Sequence, residues 1–539
     1  MNNSTGKLLF IFLLALLLSL IGAWWVAWRY RLAMRRLMST PTTAAPAVAA
    51  PPVAAPVVTE PAPLRPADNR RAGWRLAGLL LGLSLLIGIS SAALQLHVVM
   101  EGMSLSLPRL LTLACVQLWP LIVCLGLLWR WSSLRVAGAL LLWALACFAL
   151  VQWRSVVPDA RATLLYLAVE FGPAILATAV CLGGTARAIA PWLLLPMVGL
   201  VWASLTGLDL TTLMFPNPPE WFLTLVGRLG AHPTMALFAL APWLIAWWPL
   251  KRLGRALARA YTRKWLSELM VLFTAVWGIT LLDKALMAAS DLGMGGAVML
   301  LPLLWVPLVM VARSAWRRGR NPERPPTLLV LRVFQHDART QALFDDVIER
   351  WRLTGNTVLI AGTDLSDRTL DADDIFTFID GRLAERFIHH PADVAARLAA
   401  FDLLPDADGR YRINECYCHD TTWQQALAAL VQRSDVVLMD LRSFSARNQG
   451  CRHELGVLSR AARVQRVVVL ADADTDRAEA RAAMQGAPQG RFVWLDTSTI
   501  DQAKRREVLE SLFVAGGSGA TSGGAGELGA RAHCADPPA

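Results

Sequence analysis

Long apolar runs alternate with short basic loops over residues 8–312 of the chain. A run of about 20 apolar residues is long enough to cross the hydrocarbon core of a bilayer as one helix. The pattern predicts about nine such spans: Leu8–Trp28, Leu76–Val99, Leu110–Leu128, Val136–Val151, Leu164–Leu182, Ala188–Leu205, Met235–Leu250, Leu266–Met287 and Gly293–Ala312. This part of the chain is therefore predicted to be an α-helical multi-span membrane bundle.

Arginines mark one side of the predicted bundle. Arg29, Arg31, Arg35 and Arg36 follow the first apolar run, and the other basic loops fall on the same side when the spans alternate. Cytoplasmic loops carry the excess of Lys and Arg. An odd number of spans with this bias predicts an external amino terminus and a cytoplasmic carboxyl-terminal domain. Because the basic residues follow the first run, we expect an anchor and not a cleaved signal peptide.

Composition predicts how the chain is divided. The anchor (residues 1–36) is followed by an Ala/Pro-rich linker over residues 37–72, whose composition is typical of an extended tether. The bundle of about eight further spans covers 73–314, and a basic juxtamembrane linker covers 315–326. A cytoplasmic domain is predicted over 327–514, and the Gly/Ser/Ala-rich tail over 515–539 is predicted to be disordered.

Short apolar segments alternate with amphipathic ones from Thr327 onward, which is typical of strands alternating with helices. The predicted strands are Leu328–Phe334, Thr357–Ala361, Tyr411–Cys418, Val436–Asp440, Arg466–Ala471 and Arg491–Leu495. Such a pattern implies a parallel sheet covered by helices on both faces. The expected fold class of this domain is therefore α/β and flavodoxin-like.

Overall composition limits the classes of protein and partner. The chain is 55% hydrophobic and only 17% charged, which excludes an ordinary soluble protein. Its net charge of +11 comes largely from arginines in the predicted inside loops, where anionic lipid headgroups are the natural counterions. We therefore expect the lipid bilayer as a partner and no nucleic acid. The Arg/Ala/Leu-rich composition favours a bacterial inner membrane.

Few ionisable residues fall inside the predicted spans. Glu170, His97 and the adjacent pair Asp283-Lys284 are the candidates, and such residues mark ion or substrate paths. Neighbours along a helix do not face each other, and Asp283 and Lys284 could both reach the outer interface. A transporter or channel with a regulatory cytoplasmic domain is therefore one alternative, ranked third because these residues are few.

A cysteine- and histidine-containing segment raises the question of a metal site. Cys416-x-Cys418-His419 could combine with Cys451 and His453. The one-residue spacing of the first two cysteines and the lack of a second pair do not match the usual zinc patterns. We therefore expect no metal.

The stretch from Asp435 to Leu455 is the strongest candidate for chemistry. It is predicted to form a buried strand, a polar loop and a helix that carries Glu454 on its first turns. A carboxylate just past the carboxyl end of a strand lies where open α/β sheets bind their ligands. The alternative is a solvated acid that is favoured near a helix amino terminus by the helix dipole.

Two segments carry short motifs. One is the first strand running through Leu331-Arg332-Val333-Phe334 into Gln335-His336-Asp337. The other is Ser443-Phe444-Ser445 followed by Cys451-Arg452-His453-Glu454-Leu455. Together they resemble the Toll/interleukin-1 receptor (TIR) family, specifically its divergent bacterial members, which typically have Trp-Cys-x-x-Glu-Leu after a serine and a short loop. Gly450 stands at the position of that tryptophan. The resemblance covers roughly residues 327–513.

The resemblance implies an activity and a set of site residues. In enzymatic TIR domains the glutamate that corresponds to Glu454 engages the ribose of NAD and supports cleavage of the nicotinamide bond, without a required cofactor. A carboxylate in that position stabilises an oxocarbenium-like centre. Further residues are expected to contact the nucleotide or line the same crevice: Arg332, His336, Asp337, Arg442 and Ser445.

Two functions compete within this resemblance. The first is a membrane-anchored signalling or defence protein that hydrolyses or cyclises NAD or a related nucleotide. The second is a non-catalytic module that binds a nucleotide or self-associates through the cytoplasmic domain as a homo-oligomer. The changed first loop, with Gln335-His336, and Gly450 favour the second.

Overall fold

The computed structural model describes residues 3–39, 65–99, 106–155, 158–182, 189–318, 324–332, 338–361, 372–419 and 421–513. The predicted site residues His336 and Asp337, most of the Ala/Pro-rich linker and the tail lie outside these described residues.

The first three fifths of the described chain form a helical bundle. Eight of its helices are long and apolar enough to cross a membrane, or up to nine if one pair bent by 44° counts as a single span. Each predicted apolar run falls on one of these helices or on the bent pair. The helices are α1 Asn3–Ser39, α2 Pro66–Leu94, α3 Leu107–Val116, α4 Trp119–Leu128, α5 Ser133–Arg154, α6 Ala160–Cys181, α7 Ala190–Met214, α8 Glu220–Leu229, α9 Ala231–Thr262, α10 Glu268–Leu292 and α11 Trp305–Arg318.

Helix α10 is the centre of the bundle. It packs against α1, α4, α6 and α7 as well as the π-helical turn Gln95–Val99 and the 3₁₀ segment Gly293–Leu304. Its Phe273 and Trp277 are fully buried, and the indole N–H of Trp277 donates to Ser84 Oγ on α2 at 3.3 Å. A helix that is apolar all round is stable only when neighbours surround it, which is the position that α10 has.

The carboxyl-terminal part of the chain forms a seven-stranded parallel sheet. Its order is β3-β4-β2-β1-β5-β6-β7. Six strands were predicted from the sequence, whereas β3 is only two residues long and gives no alternating pattern. The strands are β1 Thr327–Arg332, β2 Asn356–Ala361, β3 Phe387–Ile388, β4 Ile413–Cys418, β5 Val436–Asp440, β6 Arg466–Ala471 and β7 Phe492–Asp496.

Helices cover both faces of the sheet. Alternate side chains of one strand enter different cores, because successive residues of a strand point to opposite faces. Leu329 and Leu331 belong to the first core, and Leu328 and Val330 to the second. The domain's helices are α12 Ala338–Trp351, α13 Ala372–Ile379, α14 Asp393–Ala399, α15 Trp423–Val431, α16 Gln449–Arg460, α17 Arg477–Ala483 and α18 Gln502–Leu512.

The end of α1 completes the second core of this α/β domain. Tyr30 and Met34 are fully buried in the same cluster as Trp351 and Leu438, and the Tyr30 ring meets Phe378 edge-on at 5.9 Å. The first helix is therefore both part of the bundle and part of the hydrophobic core of the α/β domain.

A buried polar interface joins the bundle to the α/β domain. Arg352 Nη1 lies 3.0 Å from Glu268 Oε2 on α10, and the Ser267 hydroxyl donates to Asp408 Oδ2 at 2.6 Å. Arg352 and Arg410 both pair with Glu349. Burial opposes ionisation of Glu349, but these two guanidinium groups outweigh it and lower its pKa to about 2. The interface residues precede β2 and β4, so the ion pairs lie at the amino ends of these strands.

Candidate functional site

The strand order reverses between β1 and β5. From β1 the chain adds β2 on one side, and β5 later pairs with the other side of β1. In open parallel sheets, ligands bind at such a switch point, outside the carboxyl ends of the strands. The Cα of Arg332, the last residue of β1, pairs with that of Asp440, the last residue of β5. The last residues of β1 and β5 are thus neighbours, at the opposite strand ends from the ion pairs with the bundle. The rest of the first predicted segment, residues 333–337, lies outside the described residues.

Arg442 is held by the end of β5. Its Nε and Nη2 atoms donate to the two carboxylate oxygens of Asp440 at 2.9 and 2.7 Å. Such a two-point contact fixes the plane of the guanidinium group. The side chain therefore lies at the switch point, with Asp440 setting its orientation.

The loop after β5 has a defined conformation. Ser443 has a φ of 55°, a left-handed conformation that costs a non-glycine residue about 1–2 kcal/mol. Its N–H donates to Asp472 Oδ1 at 3.0 Å, and the Thr475 hydroxyl donates to the same oxygen at 2.7 Å. Burial opposes ionisation of Asp472, but these hydrogen bonds outweigh it and hold its pKa below the ordinary value. Asp472, just after β6, therefore stabilises the strained loop.

Ser445 has a local structural contact. Its backbone N–H and its hydroxyl both donate to Asn448 Oδ1, at 2.9 and 3.1 Å. Asn448 is the residue before α16. This bond orients the start of the helix that carries Glu454, and it occupies the hydroxyl that was predicted to contact ribose or phosphate.

Glu454 is desolvated. Its Oε2 atom is buried and has no hydrogen-bond partner among the described residues. Burial raises the pKa of Glu454 to about 8. A freely solvated helix acid would have both carboxylate oxygens in water, whereas Oε2 of Glu454 is buried.

Cys451 connects Glu454 to the end of β5. Burial raises the pKa of the Cys451 thiol to about 12, and the nearby negative charges of Glu454 and Asp440 contribute to this rise. Cys451 therefore lies within electrostatic reach of both carboxyl groups. Glu454 and the Asp440–Arg442 pair therefore lie on the same side of the domain, around Cys451.

Trp423 is a site residue that the sequence analysis did not identify. It is the first residue of α15, and its ring meets His453 edge-on at 5.5 Å. A Cβ added to Gly450 would lie 3.9 Å from Cη2 of Trp423. An aromatic ring from another helix thus lies beside Gly450. Only the Trp-rich composition of the chain could have drawn attention to it.

No group of three or more His, Cys, Asp or Glu side chains within the described ranges is arranged to hold a metal ion. Burial raises the pKa of the Cys416 thiol to about 12 and that of the Cys418 thiol further.

Comparisons of the chain with protein-family models, with curated proteins and with solved structures found no match.

Proposed function

We propose that this chain is a multi-pass bacterial inner-membrane protein whose cytoplasmic α/β domain is TIR-like and cleaves or cyclises NAD or a related nucleotide. The basic ends of the bundle support this orientation, since Arg135 and Arg313 contact the α/β domain through Gln502 and the carbonyl of Ala407. Basic residues on the side of the domain agree with a cytoplasmic location.

The strand order supports the fold assignment. If β3 and β4 are left out, the order of the remaining strands across the sheet is β2-β1-β5-β6-β7. This is the 2-1-3-4-5 arrangement of flavodoxin-like sheets. The strands β4 and β3 extend the sheet beyond β2.

The observation that carries the proposed activity is the desolvated carboxyl of Glu454. Burying an ionisable group without a partner is costly, and a strongly shifted pKa beside a ligand crevice is typical of catalytic acids and bases. The carboxyl has no structural hydrogen bond in the described chain that would explain its burial. A role of the Glu454 carboxyl in ligand binding or catalysis explains why it is buried without a hydrogen-bond partner in that part of the chain.

Glu454 has an electrostatic role in the proposed reaction. The glycosidic C–N bond breaks, and its electron pair leaves with the nicotinamide nitrogen, which becomes neutral. The ionised Glu454 stabilises the positive charge that develops on the ribose. Water, or a ring nitrogen of the same nucleotide during cyclisation, then forms the new bond to the anomeric carbon. In hydrolysis, the attacking water gives its proton to solvent.

The neighbouring residues provide contacts for the rest of the nucleotide. Trp423 offers an aromatic face against which a planar base can stack. Arg442 presents a cation at the switch point, where the phosphates of a dinucleotide would lie, and Asp440 holds its orientation.

NAD consumption by the full-length protein in lipid nanodiscs tests this proposal. The full chain is required because Tyr30 and Met34 complete the core of the α/β domain. We expect turnover by the wild type and by Glu510→Gln, an exposed acid on α18, and none by Glu454→Gln. Equal turnover by wild type and Glu454→Gln would contradict a catalytic role.

A silent wild type would leave the binding module as the alternative. In that case, NAD should still raise the unfolding temperature of the wild type and of Glu510→Gln more than that of Glu454→Gln. If NAD neither turns over nor shifts the unfolding temperature of any variant, the proposal is wrong.

A further inference from the structure

The interior of the helical bundle contains a buried ion pair. Lys284 Nζ on α10 lies 2.5 Å from Glu170 Oε1 on α6, and the two side chains are only 4% and 10% exposed. The ammonium group also lies 5.4 Å from the ring of Phe171. Asp283 and Lys284 could have reached the outer interface, but helices packed around α10 enclose both residues.

Asp283 is a second carboxyl beside this pair. It is 6% exposed, and its Oδ2 atom is buried without a hydrogen-bond partner among the described residues. Its carboxyl lies within electrostatic reach of both Glu170 and Lys284. Two carboxyl groups thus share one ammonium group, and the pairing of Lys284 with Glu170 leaves the second carboxyl without a counterion of its own.

Other polar atoms lie at a similar depth. The Ser91 hydroxyl and Gln117 Oε1 are also buried without a hydrogen-bond partner in the described chain. The contact of Trp277 with Ser84 sets α10 beside α2, and both helices start at the α/β domain. Asp283 and Ser91 follow these contact residues by about 9–10 Å along their helices. Unpartnered polar atoms inside a protein are typical places for buried water.

We propose that Asp283 is a proton-binding site inside the bundle, which gains and loses a proton while the Lys284–Glu170 pair stays formed. A carboxylate without a counterion is unfavourable in an apolar interior, and proton uptake removes its charge. A metal cation would have to lie beside the Lys284 ammonium group, which would repel it. The chemistry of the site therefore selects a proton.

The other titratable groups near α10 do not replace Glu170 and Lys284 as charged neighbours of Asp283. Lys7 on α1 and Asp209 on α7 pair with each other near the helix ends, and His97 in the π-helical turn is exposed. Further titratable side chains lie on α10 and the helices packed against it: Tyr166, Cys181, Cys124 and Asp291, together with Glu268, Arg161, Arg29, Tyr30, Arg31, Arg35 and Arg36.

Infrared difference spectroscopy of the full-length protein in nanodiscs tests the proposal. A protonated carboxyl has a carbonyl stretch that disappears on ionisation, so spectra recorded at low and high pH report proton release. Glu454, with a pKa of about 8, and Asp406, with a pKa of about 7, also contribute. The measurement is therefore the difference between the wild type and Asp283→Asn.

We expect one carbonyl band that is present in the wild type and in Asp209→Asn, is lost in Asp283→Asn and is shifted in frequency in Asp283→Glu. If Asp283→Asn does not fold and insert into nanodiscs, the test is the frequency of the carbonyl band in Asp283→Glu compared with that in the wild type. Identical bands in the wild type and all assembled Asp283 variants would overturn the proposal. A band that responds to sodium and not to pH would also overturn it, in favour of a metal cation.

Discussion

Arg352 Nη1 on the α/β domain lies 3.0 Å from Glu268 Oε2, in the first turn of the central helix α10. Ser267, the residue before Glu268, caps the helix, because its Oγ atom accepts a hydrogen bond from the N–H of Met270. The same hydroxyl donates a hydrogen bond to Asp408. An acid in the first turn and a serine cap both stabilise a helix start. The α/β domain therefore binds the two residues that begin the central helix of the bundle.

Replacing Arg352 should destabilise the protein strongly. Arg352→Met leaves Glu268 without its guanidinium partner and weakens the pairing of Glu349. Removing one member of a buried ion pair typically costs about 3–5 kcal/mol. Pulse proteolysis of the full-length protein across a urea series should show this loss as a lower midpoint of cleavage within the α/β domain.

The matched control is Arg506→Met. Arg506 forms an ion pair with Glu510 on an exposed surface of α18, and such pairs contribute about 0–1 kcal/mol. Equal shifts for Arg352→Met and Arg506→Met would mean that the interface does not stabilise the protein.

Met34→Ala should destabilise the α/β domain although Met34 belongs to α1. Met34 is fully buried in the core cluster of that domain, and a Met→Ala change in a core costs about 2–5 kcal/mol. The same pulse proteolysis measures the effect, with Leu17→Ala at an exposed position of α1 as the control. A domain that is cleaved identically in both variants would exclude α1 from its core.

Some of these features could be predicted from the sequence, because they depend on local pattern. Apolar runs located the long helices, and alternating segments located six of the strands. The strand β3 is too short to give a pattern. The pairing of Lys284 with Glu170 and the proximity of Trp423 to Gly450 involve residues on different helices. Such contacts depend on how the helices pack against each other. The spacing of apolar residues along the sequence contains no information about that packing.

The candidate site shows the same division. Glu454 could be chosen as a candidate residue from the sequence alone, because it follows the strand that ends at Asp440. Its desolvation could not be predicted, because burial depends on what packs around α16. The bidentate contact of Arg442 with Asp440 and the strained φ of Ser443 likewise depend on the conformation of the loop.

Glu454→Gln should stabilise the α/β domain at pH 8. The folded-state pKa of about 8 lies above the ordinary value of about 4.3, so the folded protein keeps a proton that the unfolded chain releases between these values. Wild-type stability therefore falls as the pH rises through this window, by about 3–4 kcal/mol at pH 7. Glutamine has no such proton to lose. The difference in the urea midpoint between variant and wild type should shrink toward pH 5. A constant difference at all pH values would contradict the desolvated state of Glu454.

Trp423→Ala should weaken substrate binding if a base stacks on this ring. Base–aromatic stacking contributes about 1–3 kcal/mol, which predicts a KM for NAD at least about fivefold higher with little change in kcat. Trp423→Phe should restore most of the affinity, because it keeps an aromatic face. Kinetics of full-length variants in nanodiscs measure this, with Trp494→Ala on β7 as the control. A loss of kcat at an unchanged KM would contradict the stacking role.

The turnover of NAD should rise with pH up to about 8. The proposed role of Glu454 requires its ionised form, and burial raises its pKa to about 8. Below that value, kcat/KM should increase about tenfold per pH unit and then level off.

Burial also raises the pKa of Asp406, at the bundle interface, to about 7. Asp406→Asn should therefore keep the rise toward pH 8 if Glu454 causes it. A profile that is flat from pH 6 to pH 9 in the wild type, or one that loses its rise in Asp406→Asn, would assign the ionisation to a group other than Glu454.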